Sequence, residues 1–420
     1  MILLIKSATI VDPNSPQNGK TVDVLIENGV IKSIKSSIKE KVDKIFEVEN
    51  LHVSPGWFDM QVNFRDPGFE YKEDLISGTQ AAAHGGFTGV AVMPSTYPSV
   101  HTKADVEYIK NKTSALIVDV YPVGSLSHNM EGKDISEMYD MYQSGAVAFS
   151  DDKQSVANAG LLMRALLYAK NFNGLIMTHC DDKSVSLDGK MNEGETSTML
   201  GLKGMPALAE ELMVTRNIYL AEYAGTRIHF SSISTAKTVE LIREAKSRKL
   251  KVTASVNAYN LMLDDSSLKD FNTNYKVNPP LRTKQDIEAL KKGLIDGTID
   301  AIVSDHSPED EENKKVEFDH AAYGMIGLET AFAIANTNRG KLSVEKLIDK
   351  IAVNPRKILN LSVPTIKEGA QANLTLFDPD KKWKFEEKDI HSKSKNTPFI
   401  GTTFQGKALG IYNNKKFLQF

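Results

Sequence analysis

From about residue 53 onward the chain repeats one unit, a short β-rich run followed by a longer stretch with apolar residues at helical spacing. The runs "FTGVAVMPS", "ALIVDVYPVG", "AVAFSDD", "GLIMTHC", "RIHFSSIST", "KVTASVN" and "AIVSDH" each end in polar or small residues. Between them lie "ADVEYIKNK", "AGLLMRALLYAKN", "PALAEELMVTRNIYLAEYA", "TAKTVELIREAKSR" and "KQDIEALKKGLIDG", whose spacing suits helices packed on a sheet. Sustained over roughly 280 residues, this alternation predicts an α/β protein built as a (β/α)8 TIM-like barrel. A doubly wound open sheet is the alternative. At 420 residues the chain can bury one large core and still form a smaller domain.

The two ends read differently. "MILLIKSATIVD", "DVLIENGVIKSI" and "KIFEVENLHVSPG" are short β elements punctuated by Pro13, Asn28-Gly29 and Pro55-Gly56, and the Asn-Gly pair predicts a hairpin. After Pro364 strands return in "ANLTLFDPDKKWKF" and "GTTFQGKALGIYNNKKFLQF". Residues 1–52 and 365–420 are therefore expected to form two halves of one small β-sandwich domain, with residues 53–364 as the barrel between them.

Charge and cysteine usage narrow the function. With 51 basic and 54 acidic side chains, a net charge of −3 and no long single-sign block, the chain has no nucleic-acid footprint. The lone cysteine, Cys180, can form neither an internal disulfide nor a thiolate metal cluster, which fits a reducing cytoplasm. No signal-peptide core or membrane-length apolar run is found, so a cytoplasmic protein with no membrane partner is expected. The charged runs "EDEENKK" and "DPDKKWKFEEKD" are expected in solvated loops.

Reactive groups of such barrels sit at the C-terminal ends of the strands. Reading those ends gives Gln61, Asn63 and Arg65, then Ser95, Asp151 and Asp152, His179, Ser232, Ser255 and Asn257, and finally Asp305 and His306. His84, His229, His306 and His320 have no partner spacing and are read as structural.

On these residues a resemblance becomes specific. "PGWFDMQVNFRDPG" is similar to the Pro-Gly-Phe-Ile-Asp-x-His-x-His-x-Arg-x-Pro-Gly motif of the longer-chain dihydroorotases, members of the cyclic amidohydrolases. "AAAHGGFTGVAVMPSTYP", "AVAFSDD", "MNEGETSTMLGLKGMPALAEE", "KVNPPLR", "DGTIDAIVSDHSP", "GLETA" and "KNTPFIGTTFQGK" follow in the expected order over the whole chain. The resemblance implies a metal-hydrolase barrel of the amidohydrolase type. It also implies a zinc enzyme that interconverts carbamoyl aspartate and dihydroorotate, with two metal ions holding a bridging hydroxide and an aspartate moving the proton.

The same alignment implies losses. Where the family has its His-x-His pair stand Gln61 and Asn63, and where it has a further ligand histidine stands Ser232. His179, Asp151 and Asp305 remain, with Asp305 in the position of the proton shuttle. Amides and a hydroxyl are poor zinc donors, so no zinc pair and at most one weakly held metal is expected. Losing metal activation of water forfeits roughly 10 kcal/mol, taking a fall from about 15.7 to about 7 at about 1.36 kcal/mol per unit. A lone Asp305 acting as base recovers only about 10²–10⁴-fold.

Arg65 and Asn278 match substrate-binding positions, while Ser95 and Glu309 replace an asparagine and a histidine, and Glu309 would repel a dicarboxylate. The segment "SVNAYN", with Ser255, Tyr259 and Asn260, stands where the family has Glu-Val-x-Pro-His-His. The expectation is a dihydroorotase-like pseudoenzyme of pyrimidine biosynthesis, a homo-oligomer and a structural or regulatory partner of aspartate transcarbamoylase. The alternatives are an active dihydroorotase with a reduced metal site, a related cyclic amidohydrolase, and a sensor that binds a small dicarboxylate or a dihydroorotate-like ligand.

Overall fold

The computed structural model describes residues 2–420. The N-terminal segment supplies β1 (Ile2–Ile10), β2 (Thr21–Glu27), β3 (Val30–Lys35), β4 (Lys44–Phe46) and β5 (His52–Pro55). The expected hairpin joins β2 to β3. Asn28 and Gly29 both adopt positive φ, 52° and 93°, the geometry a two-residue turn needs to match strand twist.

The barrel strands are β6 (Trp57–Val62), β7 (Phe87–Val92), β8 (Asp119–Gly124), β9 (Ala148–Phe149) and β10 (Ile176–Thr178). A two-strand excursion, β11 (Met191–Asn192) and β12 (Gly204–Met205), precedes β13 (Ile228–Phe230), β14 (Val252–Asn257) and β15 (Ala301–Val303). The eight barrel strands pair in parallel in chain order, and a bridge between Val62 and His306 links the last strand to the first. β6 and β7 are buried along their whole length, as strands covered on both faces must be. Each helical run quoted above is a helix, among them Ala159–Lys170, Ala207–Ala224 and Lys284–Asp296.

The C-terminal segment adds β16 (Leu374–Lys384), β17 (Thr403–Asn413) and β18 (Lys416–Gln419). Antiparallel pairing of β16 with β5, Thr375 opposite Ser54, joins both chain ends in one eight-stranded sheet with its own apolar cluster. Trp57 ties this sheet to the barrel, its ring 4.3 Å from Phe332 and 5.5 Å from Phe377. The run "DPDKKWKF" lies mostly in β16 rather than in a loop, because Asp378, Lys382, Trp383 and Lys384 pair with β17 on either side of a bulge. Among the described residues no helix is long and apolar enough to cross a membrane.

Candidate functional site

Successive strand residues face opposite sides, so the barrel brings together side chains that the sequence scatters from Gln61 to Asp305. Their centre is Asp305, 4% exposed. Gln61 Nε2 donates to its Oδ1 at 2.8 Å, and Tyr259 Oη and Asn257 Nδ2 donate to its Oδ2 at 2.7 and 3.3 Å. Lys153 Nζ, which follows the fourth barrel strand, reaches across the mouth to the end of the eighth and meets both oxygens at 2.8 and 3.0 Å. Five donor contacts fill a carboxylate that offers about four lone-pair sites. The chain's own donors thus occupy both oxygens of Asp305.

Gln61 also donates to Ser232 Oγ at 2.8 Å, so two of the positions expected to have lost metal ligands are bonded to each other. Ser232 N in turn donates to Ser255 Oγ at 3.2 Å. His179 is buried and its Nε2 has no hydrogen-bond partner. Burial, followed by the charge of Lys153, pushes this imidazole down to about 3, so it is a neutral ring beside an ammonium. Sequence reading passed over Lys153. Its only signal was a lysine directly after "SDD", and nothing local says how far a four-carbon stem will reach.

The two neighbouring aspartates part company. Asp151 accepts from Ser127 N at 2.9 Å and from Ser127 Oγ at 2.5 Å, and burial raises it to about 6. It anchors the loop after β8 and lies outside the cavity wall. The residue that lines the cavity is Asp152, whose Oδ2 accepts from Ser95 Oγ at 2.5 Å while its Oδ1 has no partner. Asp151, expected to be a metal-ligand remnant, thus bonds Ser127, and the cavity wall is taken by its neighbour Asp152, which sits in a turn at φ 47°.

The mouth opens into a cavity of about 520 Å³. Arg65, Lys72, Lys153, Asn278 and Glu309 all line it. Arg65 Nη2 donates to Glu309 Oε1 at 2.8 Å and Lys72 Nζ to Glu309 Oε2 at 2.5 Å, so the residue expected to grip a substrate carboxylate already holds a carboxylate of the chain. Asn278, half-buried, lies against the His179 ring. Glu309 and Lys314, expected in a solvated charge run, are 6% and 5% exposed, because Lys314 donates to the carbonyls of Ala322 and Gly324 and Glu309 holds two cations. Gly324 makes this packing possible: at φ 150° a Cβ would stand 2.6 Å from Ser307 O and 3.1 Å from Glu309 Cγ. A wider cleft of about 820 Å³, lined by Leu116, Pro364 and Lys416 among others, is walled by none of the strand-end candidates.

Arg65, Asp152, Ser232 and Asp305 have φ of 60°, 47°, 56° and 52°, a conformation disfavoured for side chains with a Cβ. Such strain collects at sites where geometry is over-determined. Other histidines lie in packed surroundings: His229 bonds Thr253 and Ser255, and His306 receives the Gly327 amide at 3.2 Å with Glu73 at 3.5 Å.

A pair of zinc ions does not fit this donor set. Among the described residues no three His, Cys, Asp or Glu side chains are placed to hold a metal ion. Asp151 is bonded to Ser127, the chain's own donors occupy Asp305, and a protonated amine sits against it where a dication would be repelled.

A family model described as Dihydro-orotase-like matches residues 51–238. The chain is 43% identical over 414 residues to the dihydroorotase of Syntrophus aciditrophicus, covering 97% of each. It is 44% identical over 410 residues to that of a Thermoanaerobacter species, covering 97% of this chain and 94% of the relative. Among solved structures, L-hydantoinase (dihydropyrimidinase) from Arthrobacter aurescens superposes with a TM-score of 0.87 at 22% identity, covering 99% and 96% of the two chains. Dihydropyrimidinase from Brevibacillus agri gives 0.80 at 21%, covering 100% and 96%; both likenesses establish the amidohydrolase-type barrel and its appended sheet.

Proposed function

This chain belongs to the dihydroorotase family, and from that premise we propose a member whose barrel no longer carries out metal-dependent ring chemistry. Its role is that of a non-catalytic structural or regulatory partner of aspartate transcarbamoylase in pyrimidine biosynthesis. The observation that supports this reading is the Lys153–Asp305 ion pair, with Gln61, Tyr259 and Asn257 completing the shell of the aspartate. A carboxylate on the last strand of a metal hydrolase is useful when it binds a metal ion or moves a proton, and here an internal ammonium occupies it. Asp305 is then vestigial as a catalyst, while Arg65 and Asn278 still line the cavity in which a ligand would sit.

The competing reading is a working dihydroorotase that keeps a single reduced metal site. It is favoured by the names of relatives at 43–44% identity over nearly the full chain. One preparation distinguishes the two. The full-length protein, purified without chelator and analysed for metals, is expected to hold far less than one zinc per chain and to leave dihydroorotate unopened with zinc added back. Stoichiometric zinc together with ring opening at rates typical of enzymes, about 1–10³ s⁻¹, would establish the working enzyme instead.

A further inference from the structure

The charges around the cavity divide into two groups. On one side, after the first and last barrel strands, two cations share one carboxylate: Arg65 and Lys72 both bond Glu309. That side carries one positive charge in excess. After the fourth strand the balance reverses. Asp152 has no cationic partner, only the Ser95 hydroxyl, and its second oxygen is buried and unpartnered. The remaining charges cancel in pairs, Lys153 with Asp305 and Lys183 with Asp181. Arg65 and Lys72 follow the first strand and Asp152 the fourth, so the two excess charges stand at separate places on the wall of one cavity.

The unsatisfied atoms point the same way. Asn63 Oδ1 and Asp152 Oδ1 are buried acceptors without donors, and both residues line the cavity. Buried acceptors left unpaired are unfavourable, so a ligand that brings N–H donors is stabilised there. Phe69, Met130 and Val277 add apolar wall for a carbon side chain.

We propose that this cavity binds a small zwitterion of the α-amino acid kind, its carboxylate at Arg65 and Lys72 and its ammonium at Asp152. A dicarboxylate without an ammonium is disfavoured, since both Glu309 and Asp152 repel it. The inference rests on the reading that no metal pair occupies the barrel mouth, and its test separates the two.

The experiment is a titration of the full-length protein, followed by calorimetry and thermal shift, with the common α-amino acids, their N-carbamoyl derivatives and their decarboxylated amines. Zinc content is measured on the same sample, so a metal-loaded preparation overturns the earlier reading whatever the ligand ranking. The expected result is at least one amino acid binding tenfold or more tighter than both of its derivatives. Asp152→Asn, checked for an unchanged circular dichroism spectrum, should erase the preference over the N-carbamoyl form, and Glu309→Gln should weaken discrimination against dicarboxylates. Equal or tighter binding of N-carbamoyl aspartate than of any amino acid overturns the proposal, as does the absence of binding by every amino acid in the set.

Discussion

At the scale of the residue, the site turns on one amine. Lys153 supplies Asp305 with the positive charge that a metal ion would bring, but with one charge instead of two and no bound water to ionise. Restoring histidines alone is therefore expected to be insufficient. Gln61→His, Asn63→His and Ser232→His together are expected to take up no stoichiometric zinc while Lys153 is present, and to do so once Lys153→Gly is added. Metal analysis after dialysis checks this, and zinc bound by the triple variant alone would show that the ammonium is not the obstacle. The amides at 61 and 63 and the hydroxyl at 232 were legible in the sequence, because a period of two on a strand places alternate residues on one face. Lys153 and the bonding of Asp151 to Ser127 were not, since both depend on which loop lies opposite.

Elements reach the site through close contacts that composition conceals. The helix Leu75–His84 is capped by Asp74, whose side chain accepts from the amides of Ile76 and Ser77. It lies so near the first strand that a Cβ on Gly78 would stand 2.4 Å from the Phe64 ring, itself fully buried one residue before Arg65. Gly78→Ala gains about 1 kcal/mol of helix propensity, but forcing a methyl against an immovable ring costs about 1–3 kcal/mol. The net effect expected is a lower melting temperature, together with a displaced Arg65 loop. A denaturant midpoint equal to or above that of the parent would contradict it. The loop over the cavity is held from below by Lys276 and Lys314, whose ammonium groups donate to the carbonyls of Phe318, Asp319, Ala322 and Gly324. Lys314, expected in a solvated run from its neighbours in sequence, is an internal strut, because the carbonyls it needs are those of Ala322 and Gly324.

At the scale of the whole molecule, the barrel and the sheet share a boundary of buried groups. Arg356 sits where the chain passes from β5 into β6, donating to Gly56 O and Ala352 O and resting 5.0 Å from the Phe58 ring. A fold closed this tightly has a predictable response to acid. His229, fully buried in the barrel, is pushed by burial down to about 3. In the unfolded chain it takes a proton near its ordinary pKa of about 6.5, so below that pH the unfolded state binds the extra proton and stability falls with pH. The loss runs from about 6.5 down to about 3 and approaches 1.4 kcal/mol per pH unit for this one ring. Relative to the parent, His229→Gln should lose less stability over that window, as urea unfolding at stepped pH would reveal. Parallel pH profiles for the two proteins would rule out His229 as a source of acid sensitivity.

Alternating runs of strand and helix, with β-rich segments at both ends, were enough to foresee the barrel and the sheet that the two termini build together. Periodicity is a local property, and hydrophobic burial converts it into architecture with few alternatives. What only the folded chain decided was electrostatic: that Glu309 would neutralise Arg65, that Asp152 rather than Asp151 would line the cavity, and that a lysine would bond the aspartate of the last strand. Charges pair with whatever lies within a few ångströms in space, and a linear sequence carries no such distances.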